Sequence, residues 1–191
     1  MVIRKLNPRE PIPKLNGFTA GDFWSWAYSD TLGNRNRAIF AEFLVGAALD
    51  VLDEPRIEWN GYDLLYSGKK IEVKASGFLQ SWKQTGHSKI TFDIAHKNAW
   101  DSATNTFANN VQRSADCYVF CLYAETDLAQ ANVFNIDAWE FYVITTAEIN
   151  EVFGYQKSIA LTRLRQICQP RNYDELRPTI DSLLFKNSID K

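Results

Sequence analysis

A chain of 191 residues with 46% hydrophobic and 14% aromatic residues is long enough to bury the core of one folded domain. Its net charge of −2 gives no bulk electrostatic signal of nucleic-acid binding, and no apolar run approaches the roughly 20 residues needed to span a bilayer. The first residues lack the apolar centre of a secretory signal, and the three cysteines form no CxxC pair. We therefore expect a cytoplasmic protein without a disulfide framework or a zinc site.

The first fifty residues predict an arm followed by a helix. Residues 1–20 contain three of the six prolines, which predicts an extended N-terminal arm before a single domain over residues 21–191. A helix is expected from about Asn34 to Asp50, and between Arg37 and Asp50 its only charged residue is Glu42. Because an unpaired carboxylate is costly in a buried helix, we expect Glu42 to have a metal or a hydrogen-bonding partner. A solvent-facing position is the alternative.

Two β-prone segments on either side of Ser67-Gly68 predict a tight hairpin. Counting back from this two-residue turn sets Asp63 opposite Glu72, and strand alternation brings Lys74 to the same face. The residues between them on the second strand then point into the core. Opposed carboxylates repel unless a positive charge lies between them, so a divalent cation is expected here.

The remainder of the chain predicts a central sheet and further helices. Apolar character without interruption predicts strands buried on both faces, alternation predicts shorter strands, and a polar stretch predicts a loop or hairpin. The expected elements are short strands at Arg56–Trp59 and Ser88–Ile94, a loop or hairpin tip within Ala99–Arg113, buried strands at Cys117–Tyr123 and Trp139–Thr145, and helices at Thr146–Phe153 and around Asp174–Phe185, the last broken by Pro178.

Basic residues are concentrated in and after the hairpin. From Lys69 to Lys97 there are six lysines and two acidic residues, a local net charge of +4. A basic stretch beside paired carboxylates suits a polyanionic substrate, although a solvated charged face is equally consistent with any single lysine. Trp82 has the chemistry to stack on a base or sugar, while a core or rim position is the favoured interpretation of this residue alone. The expected nucleic-acid contacts are Lys69, Lys70, Trp82, Lys83 and Lys89.

Together these residues resemble the PD-(D/E)XK nuclease superfamily, in which a helix bears a Glu, one strand bears an Asp, and the next bears Glu-x-Lys, often followed by a Gln. The matching positions are Glu42, Asp63, Glu72-Val73-Lys74 and Gln80, with Tyr62 in place of the Pro. The Glu-x-Lys tripeptide alone is a weak signal, but the order of all positions agrees over about residues 34–145. The resemblance implies an α/β fold with a restriction-endonuclease-like αβββαβ core, in which helices flank a central mixed sheet.

The same resemblance implies hydrolysis of DNA phosphodiester bonds with Mg²⁺ or Mn²⁺ as cofactor. Asp63, Glu72 and the Val73 carbonyl would bind the metal, and Lys74 would contact the attacking water and a phosphate oxygen. Glu42 would complete a second metal site or hold a water. The remaining position, Gln80, would orient the water or contact the DNA backbone, with an ordinary surface role as the alternative. Such enzymes are often homodimers.

Three further segments, Ile71–Trp82, Ala115–Leu122 and Trp139–Val143, look like a family of uncharacterised bacterial proteins, a likeness that implies no activity. Two alternatives to a nuclease stay open. The first is a catalytically silent nucleic-acid-binding module on the same fold. The second is a structural or partner-binding protein in which the acidic residues and Lys74 form a buried salt-bridge network. The sequence does not distinguish DNA from RNA as the partner.

Overall fold

Helices and short strands alternate along the chain, which is described by a computed structural model over residues 3–58, 60–101 and 106–185. No helix within these ranges combines the length and apolar character needed to cross a bilayer. The helices are α1 (Ala20–Tyr28), α2 (Asn34–Leu49), α3 (Thr146–Phe153), α4 (Leu161–Ile167) and α5 (Leu176–Phe185). The strands are β1 (Leu64–Tyr66), β2 (Lys69–Gly77), β3 (Thr91–Asp93), β4 (Lys97–Asp101), β5 (Thr106–Gln112), β6 (Cys117–Tyr123), β7 (Trp139–Thr145) and β8 (Ser158–Ala160).

A mixed four-stranded sheet forms the centre of the protein, with strand order β1-β2-β6-β7. The β1–β2 and β6–β7 pairs are antiparallel, whereas β2 and β6 are parallel. On one face the sheet packs against α2 and α5, and on the other face it packs against a second apolar cluster that includes residues of β3, β8, α3 and α4. Every residue of β6 is buried, which confirms the prediction of a strand covered on both faces.

The β1–β2 hairpin has the predicted turn and register. Ser67 and Gly68 adopt positive φ angles of 48° and 80°, the combination that a type I′ turn requires. Its register follows from this turn, since Tyr66 pairs with Lys69, Leu65 with Lys70 and Leu64 with Ile71. The paired residues end at Leu64, and the backbone N–H of Asp63 continues the hairpin by donating to the Ile71 carbonyl at 3.1 Å.

Most elements expected along the second half of the chain are present. The buried strands and the helix after β7 have the predicted bounds, and α2 begins at Asn34 as expected. The strand expected at Ser88–Ile94 is shortened to β3, and the polar segment after it forms the β4–β5 hairpin, whose predicted tip lies outside the described residues. Pro178 does not break α5, because it lies in the first turn, where a missing N–H removes no helical hydrogen bond.

Two elements differ from expectation near the N-terminus. The strand predicted at Arg56–Trp59 is wrong for the residues described, since Arg56 and Ile57 have no regular structure and Glu58 lies in a turn; the described ladders give them no neighbouring strand. Trp59 lies outside the described residues. A helix, α1, follows the arm and was not predicted. Its start is fixed by a capping box in which Thr19 and Asp22 each bind the other's backbone N–H.

The succession of elements also departs from the expected αβββαβ order. Between β2 and β6 the described residues form β3, β4 and β5 and no helix, and the strand that bears Glu72 is the second after α2 rather than the third. The physical reason lies in the composition of this segment, which is rich in Thr, Asn and aromatic residues with no apolar repeat at helical spacing. A mixed α/β fold with a mixed central sheet is therefore what the structure establishes.

Candidate functional site

The Asp63 carboxylate is fixed at the end of the β1–β2 ladder by a backbone hydrogen bond. Its Oδ2 accepts the N–H of Val73 at 2.7 Å, while its own N–H is bound to the Ile71 carbonyl. Both bonds follow from the hairpin register, because the turn brings the residue before β1 alongside the middle of β2. The register predicted from the sequence is therefore confirmed here. It brings the Asp63 carboxylate to the β1 edge of the sheet, beside Glu72-Val73-Lys74.

Glu72 and Lys74 lie side by side on the face of β2 opposite α2. Alternation directs Ile71 and Val73 into the core under α2, where they are buried. The Lys74 Nζ donates to the Glu72 carboxylate, and the two side chains are only 21% and 17% exposed. In the parallel neighbour, Tyr118 pairs with Glu72 and belongs to the apolar cluster on that face. The pair is thus largely screened from bulk water.

Burial and neighbouring negative charge act on the carboxyl groups of Asp63 and Glu72. Burial, and then the charge of Glu42, raise the pKa of Asp63 above its usual range. Burial, and then the charge of Asp63, raise the pKa of Glu72 even though Lys74 opposes the shift. For Lys74 burial lowers the pKa, but the charges of Glu72 and Asp63 outweigh it, so that the pKa is raised. Lys74 is therefore an ammonium at neutral pH, and its single positive charge only partly offsets the two negative charges of Asp63 and Glu72.

Glu42 has a partner that the sequence did not predict. Arg56 donates from Nε and Nη2 to the two oxygens of the Glu42 carboxylate, the second at 3.0 Å. The Glu42 side chain is 11% exposed and that of Arg56 is 36% exposed. The expectation that this lone helix charge needs a hydrogen-bonding partner is met by an arginine. The available signal was Arg56 itself, the only basic residue between α2 and β1, on a segment predicted to be a strand.

A cleft of about 630 Å³ lies between the end of α2, the segment after it and β1. Glu42, Arg56 and Asp63 line this cleft, together with apolar side chains such as Phe43 and Ile57. The residues that line it do not include Glu72 or Lys74. Asp63 is therefore the residue common to two half-sites, one in the cleft with Glu42 and one on the sheet face with Glu72.

The two half-sites do not form a ready-made metal cage in this conformation. Within the described part of the chain, no three or more His, Cys, Asp or Glu side chains are grouped closely enough to hold a metal ion. Two of the three predicted carboxylates are instead occupied by cations of the protein, Glu42 by Arg56 and Glu72 by Lys74. The arrangement offers hard oxygen donors, but a metal would have to compete with these ion pairs.

Gln80, predicted to orient a water or contact the DNA backbone, is engaged in local structure. Its side chain is buried, and its Nε2 donates to the Gly77 carbonyl at 3.0 Å and to the Ser88 Oγ at 3.1 Å. Its Oε1 accepts from the guanidinium of Arg37 at 3.4 Å. Arg37 is itself buried and has no acidic partner among its described contacts, so this amide and three further oxygens surround its charge. A contact of Gln80 with substrate stays a prediction.

The predicted nucleic-acid contacts form no common cluster with each other in the described contacts. Lys69 is paired with Asp116 at 3.6 Å, and the Lys70 Nζ lies over the Tyr62 ring, 5.3 Å from its centroid. Trp82 is 56% exposed, so a core position for this residue is wrong, whereas a rim position and a contact with a ligand both stay predictions. The two predicted lysines that follow it in sequence, Lys83 and Lys89, are also exposed.

One acidic residue near Lys74 was missed by the sequence reasoning. Asp93 of β3 contributes to raising the pKa of Lys74 and forms an ion pair with Lys97 at 2.6 Å. The signal that could have found it is the polar–apolar alternation in Thr91-Phe92-Asp93, which places Asp93 on the opposite side of the strand from a core residue. With Asp93 and Lys97 included, charges of both signs border the Glu72–Lys74 pair.

Comparison of the sequence with models of known protein families and with curated proteins gave no match. What the site does must therefore be inferred from its own geometry and chemistry.

Proposed function

We propose that the protein is a Mg²⁺-dependent endonuclease that hydrolyses phosphodiester bonds of DNA, with Asp63, Glu72 and Lys74 at its active site. The observation that carries the proposal is the pair of carboxylates held at the hairpin edge beside an ammonium, with Glu72 and Lys74 largely removed from water and Asp63 half-buried. Repulsion between Asp63 and Glu72 is costly in such a setting, and the residues of a functional site commonly tolerate such a cost.

The donor set fits a hard divalent cation. Carboxylate oxygens of Asp63 and Glu72 and the carbonyl of Val73 are the ligand types that Mg²⁺ prefers, and waters usually complete its coordination. Burial is the main cause of the raised pKa of both carboxyl groups, and a neighbouring carboxylate adds to it, Glu42 for Asp63 and Asp63 for Glu72. A cation here would offset this repulsion. When bound, Mg²⁺ supplies a water of lowered pKa and stabilises charge on a phosphate.

The chain's own residues would position the substrate around this chemistry. Lys74 keeps its proton at neutral pH, because nearby carboxylates raise its pKa, so it would act as a positioning group and electrostatic stabiliser for a phosphate oxygen rather than as a base. Asp63 is held in one orientation by the Val73 N–H. Such orientation lowers the entropic cost of bringing the reacting groups together.

The segment that follows β2 has the chemistry to bind a nucleic acid. Trp82 is exposed on the segment that follows β2, and Lys83 and Lys89 are exposed further along the same segment. Lysines would neutralise phosphates, and an exposed indole would stack on an unpaired base. We favour DNA on the resemblance to PD-(D/E)XK nucleases, and a restriction-endonuclease-like arrangement of α2, the hairpin and the parallel strand β6 belongs to the same proposal.

A second candidate is a catalytically silent module on the same scaffold, which binds nucleic acid or serves a structural role. The observation that favours it is the occupation of Glu42 and Glu72 by Arg56 and Lys74. In this alternative the two ion pairs are permanent, and no metal ion replaces Arg56 or Lys74.

The deciding experiment is cleavage of supercoiled plasmid, single-stranded DNA and RNA in Mg²⁺, Mn²⁺ or EDTA by the wild-type protein and Lys74→Ala. Lys157→Ala is the matched control, because it removes an exposed lysine outside the proposed site. Metal-dependent cleavage that is lost only in Lys74→Ala supports the nuclease. Cleavage that is equal in all three proteins, or that persists in EDTA, contradicts it.

A further inference from the structure

We infer that a divalent cation and the Arg56 guanidinium compete for the Glu42 carboxylate. Arg56 balances the charge of Glu42 as long as no metal is bound. The inference rests on the proposed metal-dependent function. It adds a positioning residue that the PD-(D/E)XK pattern in this sequence does not contain, since that pattern matches only Glu42, Asp63, Glu72, Lys74 and Gln80.

Glu42 and Arg56 form a bidentate pair. Both oxygens of Glu42 accept from Arg56, through Nε and Nη2. A bidentate guanidinium satisfies the same lone pairs that a cation would use. Because the Glu42 side chain is 11% exposed, water cannot easily replace either partner. Glu42 thus needs one cation at a time, and Arg56 is the one that this conformation supplies.

Negative charge exceeds positive charge among Glu42, Asp63 and Arg56 in the cleft. Glu42 and Asp63 both line it, and within the described residues Asp63 forms no ion pair. One guanidinium therefore faces two carboxylates. A divalent cation offers twice the charge of the guanidinium, and its binding to the pair is opposed by the loss of the Arg56 contact and by the cost of removing water from the cation.

Arg56 lies where its side chain can move away from Glu42. It lies on the segment between α2 and β1, which has no helix or strand at this position, and its side chain is 36% exposed. The cleft beside it is open and large enough to accept the displaced side chain. A guanidinium released there would lie in the cleft that Asp63 also lines and would bind a phosphate in the same bidentate manner. Metal binding would in this way present a phosphate-binding arginine.

The test is calorimetric titration of the full chain with Mn²⁺ at constant ionic strength. We compare wild type with Arg56→Gln, which removes the competing charge, and with Arg56→Lys, which keeps a charge but not the bidentate contact. Arg163→Gln is the matched control, because Arg163 is exposed on α4, contacts Gln166 at 2.8 Å and does not line the cleft.

We expect Arg56→Gln to bind Mn²⁺ about tenfold more tightly than wild type, Arg56→Lys to be intermediate, and Arg163→Gln to match wild type. As a second readout, Mn²⁺ should raise the midpoint of thermal unfolding more for Arg56→Gln than for wild type. Equal or weaker Mn²⁺ binding by Arg56→Gln, with measurable binding by wild type, overturns this inference and leaves the metal site standing. No Mn²⁺ binding by any of the proteins overturns both.

Discussion

Replacing Asp63 by asparagine tests whether the hairpin carboxylates are strained in the absence of metal. The asparagine side chain would keep an oxygen that accepts the Val73 N–H, at 2.7 Å in the wild type, but would remove a charge that burial and Glu42 make unfavourable. Since Lys74 donates to Glu72, the substitution does not leave the ammonium unpaired. We therefore expect Asp63→Asn to be more stable than the wild type at pH 7 in EDTA.

The size of the effect follows from the raised pKa. Each unit by which the folded pKa of Asp63 exceeds its unfolded value corresponds to about 1.4 kcal/mol of destabilisation at neutral pH. The penalty is fully present above the folded pKa and vanishes below the unfolded pKa of about 3.9, because the carboxyl is then protonated in both states. The advantage of Asp63→Asn should accordingly shrink as the pH falls through the folded pKa.

Urea unfolding of wild type, Asp63→Asn and Asp63→Ala at several pH values between about 3.5 and 8 measures these differences. Asp63→Ala is the informative control, because it removes the same charge but leaves the Val73 N–H without its acceptor. We expect it to be about 1–3 kcal/mol less stable than Asp63→Asn. A loss of stability in Asp63→Asn at pH 7, or a gain that does not fade with acid, would refute the reasoning and favour a structural salt-bridge network.

Two further predictions concern the scaffold. Ser67→Asn should stabilise the protein by a few tenths to about 1 kcal/mol in thermal or urea unfolding, because Asn adopts the positive φ of 48° at the hairpin turn more readily than Ser; equal stability would count against the turn geometry. Gly77→Ala should cost about 1–3 kcal/mol, because its Cβ would lie 3.2 Å from Cζ of the buried Arg37. Gly86→Ala, with nothing within 4 Å of the added atom, should be nearly neutral, and equal losses in both variants would contradict this explanation.

The sequence predicted those parts of the fold that depend on local signals. The Ser67-Gly68 turn determines the hairpin register, and through it the position of Asp63 beside Val73. Continuous apolar character predicted β6 as a strand buried on both faces. The capping box of Thr19 and Asp22 is also a local signal, and it marks the start of α1. The prolines before it instead favoured the prediction of an extended arm.

The remainder depends on contacts between distant segments, which a single sequence does not encode at any fixed spacing. Nothing in the residues around Arg56 indicates that it reaches Glu42, fourteen positions earlier on α2. Nor does the local sequence reveal that Gln80 binds Arg37 or that Asp93 approaches Lys74. The candidate residues were therefore predictable, whereas the ion pairs that occupy two of the three acidic side chains were not.

The most direct test of the central claim is Mn²⁺ binding by wild type, Asp63→Asn and Lys74→Ala, followed by electron paramagnetic resonance of free Mn²⁺. A metal site at the hairpin predicts binding by the wild type, at least about tenfold weaker binding by Asp63→Asn, and retained binding by Lys74→Ala, since its side chain is no ligand. Absence of binding by the wild type, or equal affinity for wild type and Asp63→Asn, would contradict the assignment of Asp63 and Glu72 as a metal centre.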